Sequence, residues 1–136
     1  MKLLKTGALI ASLSFSSLSF AELTVIVNPA NDSAITSKDI QRIFLGKEAK
    51  FPNGTQAIPI NLSSGGATRE AFDEKILERS SSQVSAYWSK LVFTGKGIPP
   101  KEVTSDAEVV SLVAKNPSLI GYVDSSSLTD AVKPVK

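Results

Sequence analysis

The sequence of 136 residues has no cysteine and no histidine, and no run of lysines or arginines. Without cysteine there is no disulfide, no thiolate nucleophile and no lipid-modified residue behind a leader, so stability has to come from packing. Without histidine the usual proton-transfer group at neutral pH is missing, and the carboxylates are not spaced as a metal-ligand set. The adjacent pairs Ser37-Lys38 and Ser89-Lys90 do not face each other on a helix and make no catalytic couple. The chain is therefore expected not to be an enzyme: no catalytic residue, no metal and no cofactor. The missing basic run argues against duplex nucleic acid or anionic lipid as the main partner, because both need concentrated positive charge.

What is present begins with a leader. Lys2 and Lys5 form a charged start, an apolar stretch runs from Leu3 to Phe20, and Ala21 completes a small-residue cleavage site. The stretch is diluted by five serines and falls short of the roughly 20 strongly apolar residues that span a bilayer. Residues 1–21 are accordingly expected to be a signal peptide cleaved after Ala21, and the protein to be periplasmic. The chain has 15 basic and 13 acidic residues, and the leader holds two of the basic ones, so residues 22–136 carry 13 of each sign and are formally neutral. Their length suits one domain with a real core.

Residues 23–28 are rich in β-branched residues and mostly apolar and predict a strand, stopped by the cluster Pro29 to Ser33. Thr36 with Asp39 forms a capping-box pattern before Ile40, Ile43 and Phe44, with Gly46 where a helix should stop. Residues 57–62 predict a second strand, whose Pro59 prefers an edge or a bulge. Thr68 is the expected N-cap of a helix running to about Leu77. The next helix, after Ser81 and Ser82, places Val84, Tyr87, Trp88, Leu91 and Val92 on one face and ends at Thr94-Gly95. Ser105 and Glu108 read as a capping box for a helix closed by Asn116-Pro117, before a strand over 119–123. This order predicts an α/β domain with a mainly parallel sheet and helices on both faces, with ligands beyond the carboxyl ends of the strands.

The loop from Ser63 to Thr68 joins a strand to a helix start, where free amides and the positive end of the helix dipole can hold an oxyanion. A plain tight turn is the bland alternative. Arg69 can lend a guanidinium to a bound anion, or it can be a surface arginine paired with Glu70, Asp73 or Glu74.

Four segments bear a joint likeness: Val27-Asn28-Pro29-Ala30-Asn31, the run Ile40 to Lys47, the Ser/Gly loop ending in Thr68 with Phe72 four on, and Asn116 to Val123. Together they resemble the substrate-binding proteins of phosphate-type ABC transporters, in the periplasmic binding protein class. The run Tyr87 to Lys101 is similar to the signature of a short, single-lobe branch of that family. The resemblance implies one domain over 22–136, a three-layer-like lobe of a type 2 periplasmic binding protein that corresponds to the second lobe only. It also implies a solute-binding function, with inorganic phosphate or a similar oxyanion as ligand and an ABC permease or another periplasmic protein as partner. In the family the phosphate loop runs Arg, two residues, then Gly-Ser-Gly-Thr. Here Gly65 and Thr68 match, Leu62 stands in the arginine position, and Gly66 and Ala67 replace the serine and second glycine. Ser63, Ser64 and Arg69 offer compensating donors, so the expected anion-binding set is Ser63, Ser64, Gly65, Gly66, Thr68 and Arg69. A non-catalytic interaction or sensing domain that has lost the anion is the alternative, and a homodimer could cover the face left by the missing lobe.

Overall fold

Strands with continuous buried runs and capped helices give nine regular elements among the described residues. The computed structural model describes residues 22–136, so the expected leader and its cleavage site lie outside the described residues. The order is β1 (Leu23–Val27), α1 (Ser37–Phe44), β2 (Ile58–Leu62), α2 (Ala67–Lys75), α3 (Ser81–Phe93), β3 (Lys101–Val103), α4 (Asp106–Lys115), β4 (Leu119–Asp124) and β5 (Lys133–Pro134), with a 3-10 turn at Ser125–Ser127.

The strands form one sheet in the order β3-β2-β4-β1-β5. β2 runs parallel to both β3 and β4, whereas β1 is antiparallel to β4 and β5. Four strands thus share a direction and β1 alone is reversed, which gives the mainly parallel sheet expected from the order of elements. The parallel steps from β2 to β3 and from β3 to β4 carry α2 with α3, and α4, as their covering crossovers.

Helices cover both faces. On one face α4 lies directly against β4: a Cβ on Gly121 would sit 2.6 Å from Val109 Cγ1, so only glycine permits this approach. On the other face the buried rings of Phe44 in α1, Phe72 in α2 and Tyr122 in β4 form a cluster. Phe72 stacks on Tyr122 with centroids 3.9 Å apart and planes 2° from parallel, and Phe44 meets Phe72 at 4.7 Å. This cluster fixes α2, and with it the loop before α2, to the middle of the sheet.

Several local expectations need adjustment. The Thr36–Asp39 capping box is complete. The N-cap of α3 is Ser80, boxed with Gln83, rather than Ser81 or Ser82. Ser105 caps α4 through Glu108 N, but the Glu108 carboxylate turns to Thr104 N at 3.4 Å, leaving half a box. Pro59 lies in an inner strand, not at an edge or bulge. Ile58 N bonds Ser118 O on the β4 side, so alternation points the proline nitrogen to the other side, beyond the end of β3, whose pairing starts only at Ile60. Finally, α2 starts at Ala67 with Gly66 as its N-cap, two residues before the expected Thr68.

Candidate anion site at the start of α2

Leu62 ends β2, and the chain then turns through Ser63-Ser64-Gly65-Gly66 into α2. Ser63 extends the pairing of β2 with the edge strand β3, because its amide bonds Val103 O at 2.9 Å and its hydroxyl reaches the same oxygen at 3.3 Å. Ser64 is exposed. Gly65 turns the chain with φ +97, a conformation that favours glycine, and a Cβ at Gly65 or Gly66 would meet nothing within 4 Å. The space over the loop is open.

Gly66 has no side chain to cap the helix. Glu70 N is the first amide of α2 to find an intrahelical acceptor, Gly66 O at 3.0 Å. Among the described residues nothing accepts from the amides of Ala67, Thr68 and Arg69. Three N–H groups and the positive end of the helix dipole therefore converge at the carboxyl end of β2, with the half-buried Thr68 in the first turn. Such an arrangement can bind an oxyanion without a positively charged side chain.

Arg69 is not a surface arginine. It is 6% exposed, and its guanidinium folds back over the end of β2. Nε donates to Asp73 Oδ2 at 3.0 Å, and Nη1 donates to Leu62 O at 2.7 Å and to Glu102 Oε1 at 3.1 Å. A guanidinium thus reaches the end of β2 from α2, although position 62 itself holds leucine. Burial is the largest single influence on its pKa and pulls it down; Asp73, Glu102 and Tyr122 together reverse this and leave it raised, so Arg69 stays charged. Two carboxylates face this one cation, so the pocket behind the loop offers an anion little net positive field. Nη2 alone has no acceptor among the described residues.

Behind Arg69 lies a buried polar relay. Asp73 is fully buried and also accepts from the Ser81 hydroxyl at 2.9 Å, while its Oδ1 has no partner. Tyr122 donates its hydroxyl to Asn61 Oδ1 and accepts from Leu62 N at 3.3 Å. Burial pushes the phenol pKa well up, so it remains neutral. Together these groups fix the direction in which β2 delivers the loop. An open cleft of about 520 Å³ begins beside Ser64 and Arg69 and continues along α3 past Ser85, Trp88 and Phe93. A cavity of equal size near β5 contains none of the loop residues. Asp124, the last residue of β4, is not turned toward the loop; it accepts from Ser126 N and Oγ and caps the 3-10 turn.

The partnership of Arg69 with Asp73 was within reach of sequence, since i and i+4 share a helix face. The roles of Glu102, Ser81 and Tyr122 were not, because they come from elements far away along the chain.

Searched against family models, the chain matches none. Solved structures with the same arrangement do exist. An ABC-type phosphate transport receptor from Vibrio cholerae superimposes with a TM-score of 0.65 at 18% identity, over 85% of this chain and 45% of that one. The fold is similar to one lobe of a periplasmic binding protein. The lobe is similarly matched, with a TM-score of 0.66 at 21% identity, by a Clostridium perfringens substrate-binding protein solved with bound phosphate, over 85% of this chain and 44% of that one. PstS from Borrelia burgdorferi matches it with a TM-score of 0.59 at 15% identity, over 85% and 46%. The lobe spans less than half the length of each of these proteins.

Proposed function

We propose that this lobe is a periplasmic solute-binding module that takes phosphate or a similar oxyanion at the start of α2, in the service of ABC-type uptake. The observation that carries the reading is the bare Gly66 cap, which leaves three amides open at the carboxyl end of β2 in a fold whose solved neighbours include one with bound phosphate. In this reading the amides of Ala67, Thr68 and Arg69 hold the anion, Gly65 and Gly66 let it approach the backbone, and the hydroxyls of Ser64 and Thr68 complete its shell. Ser63 and Arg69 act from behind, Ser63 by pinning the loop to β3 and Arg69 by offering Nη2. The reading is that of a binding protein and not of an enzyme, with export directed by residues 1–21. Among the described residues no helix is long and apolar enough to cross a membrane.

Titration calorimetry of residues 22–136 with phosphate and then sulfate tests this. Saturable binding at micromolar phosphate, roughly −8 kcal/mol, is expected. It should be lost in Gly66→Asp, whose carboxylate would cap the amides itself and repel an anion. No heat at millimolar phosphate would discard the reading. A specific observation favours the second reading, an interaction or sensing domain without an anion: Asp73 and Glu102 already occupy the guanidinium that would most strengthen binding. In that case Gly66→Asp leaves partner binding untouched.

A further inference from the structure

Four large apolar residues are exposed among the described residues, and they fall into two groups. Phe93 is 93% exposed, Ile98 is 90% exposed and Val92 half exposed, all at the end of α3 and in the loop that follows it. Leu128, 38% exposed, follows the 3-10 turn after β4.

The surroundings of the two groups have opposite charge. From Ser80 to Lys101 there is no acidic residue, and Lys90, Lys96 and Lys101 are all exposed. Around Leu128 the charge is negative. Asp130 is two residues on, Asp124 caps the turn that leads into Leu128, and Asp106 Oδ2 accepts from Ser127 Oγ at 2.7 Å, with the exposed Glu108 in the same first turn of α4. The described chain as a whole is neutral, so this separation is local.

The two groups also lie at opposite ends of the sheet. α3 begins at Ser81, bonded to Asp73 beside the carboxyl end of β2. It runs 13 residues, about 20 Å, to Phe93, and the loop then enters β3 at Lys101, opposite Ile60. Asp124 is the last residue of β4, which is parallel to β2.

We propose that the chain associates head to tail with a second copy of itself, the Phe93–Ile98 knob and its lysines seating against the Leu128 turn and its carboxylates. Two different surfaces at opposite ends make a heterologous contact, in which each copy uses a different end. Opposite charge selects this pairing over knob against knob, where three lysines would face three lysines. The inference is independent of anion binding, because neither surface includes the loop before α2.

Sedimentation velocity of residues 22–136 over a wide concentration range is the test. The expected result is a mass that rises above the monomer with concentration, with association weakened about tenfold on going from ~0.05 M to ~0.5 M salt. The variants Phe93→Ser and Leu128→Lys/Asp130→Lys change only exposed residues, and circular dichroism should show both folded. Each alone should be monomeric. Mixed, they should form a 1:1 complex and no larger species, since one supplies the intact acidic end and the other the intact knob. A wild-type chain that stays monomeric at millimolar concentration overturns the proposal, as does association that persists in either variant alone or a mixture that fails to pair. Binding of a monomeric wild type to vesicles of anionic phospholipid, lost in Phe93→Ser, would assign the knob to a lipid surface and overturn it equally.

Discussion

The starts of α1 and α2 solve the same problem in opposite ways. At α1 the chain finishes its own helix: Thr36 Oγ1 accepts from Asp39 N at 3.2 Å, and Asp39 Oδ2 returns to Thr36 N at 2.8 Å. At α2 the cap is a glycine and the amides stay open, while the helix is held from behind by Arg69, Asp73, Glu102 and the stack of Phe72 on Tyr122. A helix start that satisfies itself has nothing to offer a ligand. One that is anchored through its far side can keep its amides free, and stability and binding then rest on different residues.

Replacing Asp73 by asparagine attacks the anchoring at α2 and should have the largest effect. It leaves the buried Arg69 charge with only the half-exposed Glu102, and about 3 kcal/mol of unfolding free energy should be lost, as read by urea denaturation. A loss below about 0.5 kcal/mol would mean that the pair behaves as a surface contact and the helix is anchored elsewhere. High pH attacks the same anchoring through Tyr122. Its pKa is raised in the folded chain, so its contribution is fully present below about pH 10, the unfolded phenol value, and falls as pH climbs above it, by up to about 1.4 kcal/mol per unit. Tyr122→Phe should flatten that alkaline limb in the pH profile of thermal unfolding; an unchanged limb would assign it to other groups.

Two smaller changes exchange the character of the helix starts. Thr36→Ala removes the cap of α1 and should cost about 1 kcal/mol, with the anion titration unmoved. It should also alter the acid limb. Asp39 has a lowered pKa, first through its bond from Thr36 N and then through the Thr36 hydroxyl. Its contribution is therefore present above the ordinary carboxylate pKa near 4 and is lost as pH falls through the folded value. Gly66→Ser gives α2 the cap it lacks and should change stability by only about 0.3 kcal/mol while weakening anion binding. If binding survives with full affinity, the open amides are not the anion's seat.

The same contrast separates what was legible in the sequence from what was not. Both halves of the α1 box lie within four residues, so Thr36 and Asp39 could be paired by inspection. The start of α2 was misplaced because Thr68 has a hydroxyl that can cap and Gly66 has no side chain, whereas the positive φ of Gly65 brings the chain into helix at Ala67 before Thr68 can serve. The mainly parallel layout followed from the order of elements, but β3 and β5, three and two residues long, carry no periodicity to recognise. They exist because β2 and β1 offer them an edge. The loop from Ser63 to Thr68 was found as a segment, but the fate of Arg69 was not, since Glu102 lies 33 positions away and meets it only through the pairing of β2 with β3.

Trp88 is the only tryptophan in the chain. Its ring is buried between Gly46 and Gly97, and it also borders the cleft that begins at Ser64 and Arg69. Indole emission from this chain therefore has a single source, and it sits between the loop before α2, near one end of α3, and the exposed Phe93 at the other. Its spectrum will shift to the red when α3 detaches from Gly46 and Gly97, and its quenching will report a solute or a neighbouring molecule that enters the cleft. The lobe carries its own optical gauge, and both of its surfaces can be followed without attaching a dye.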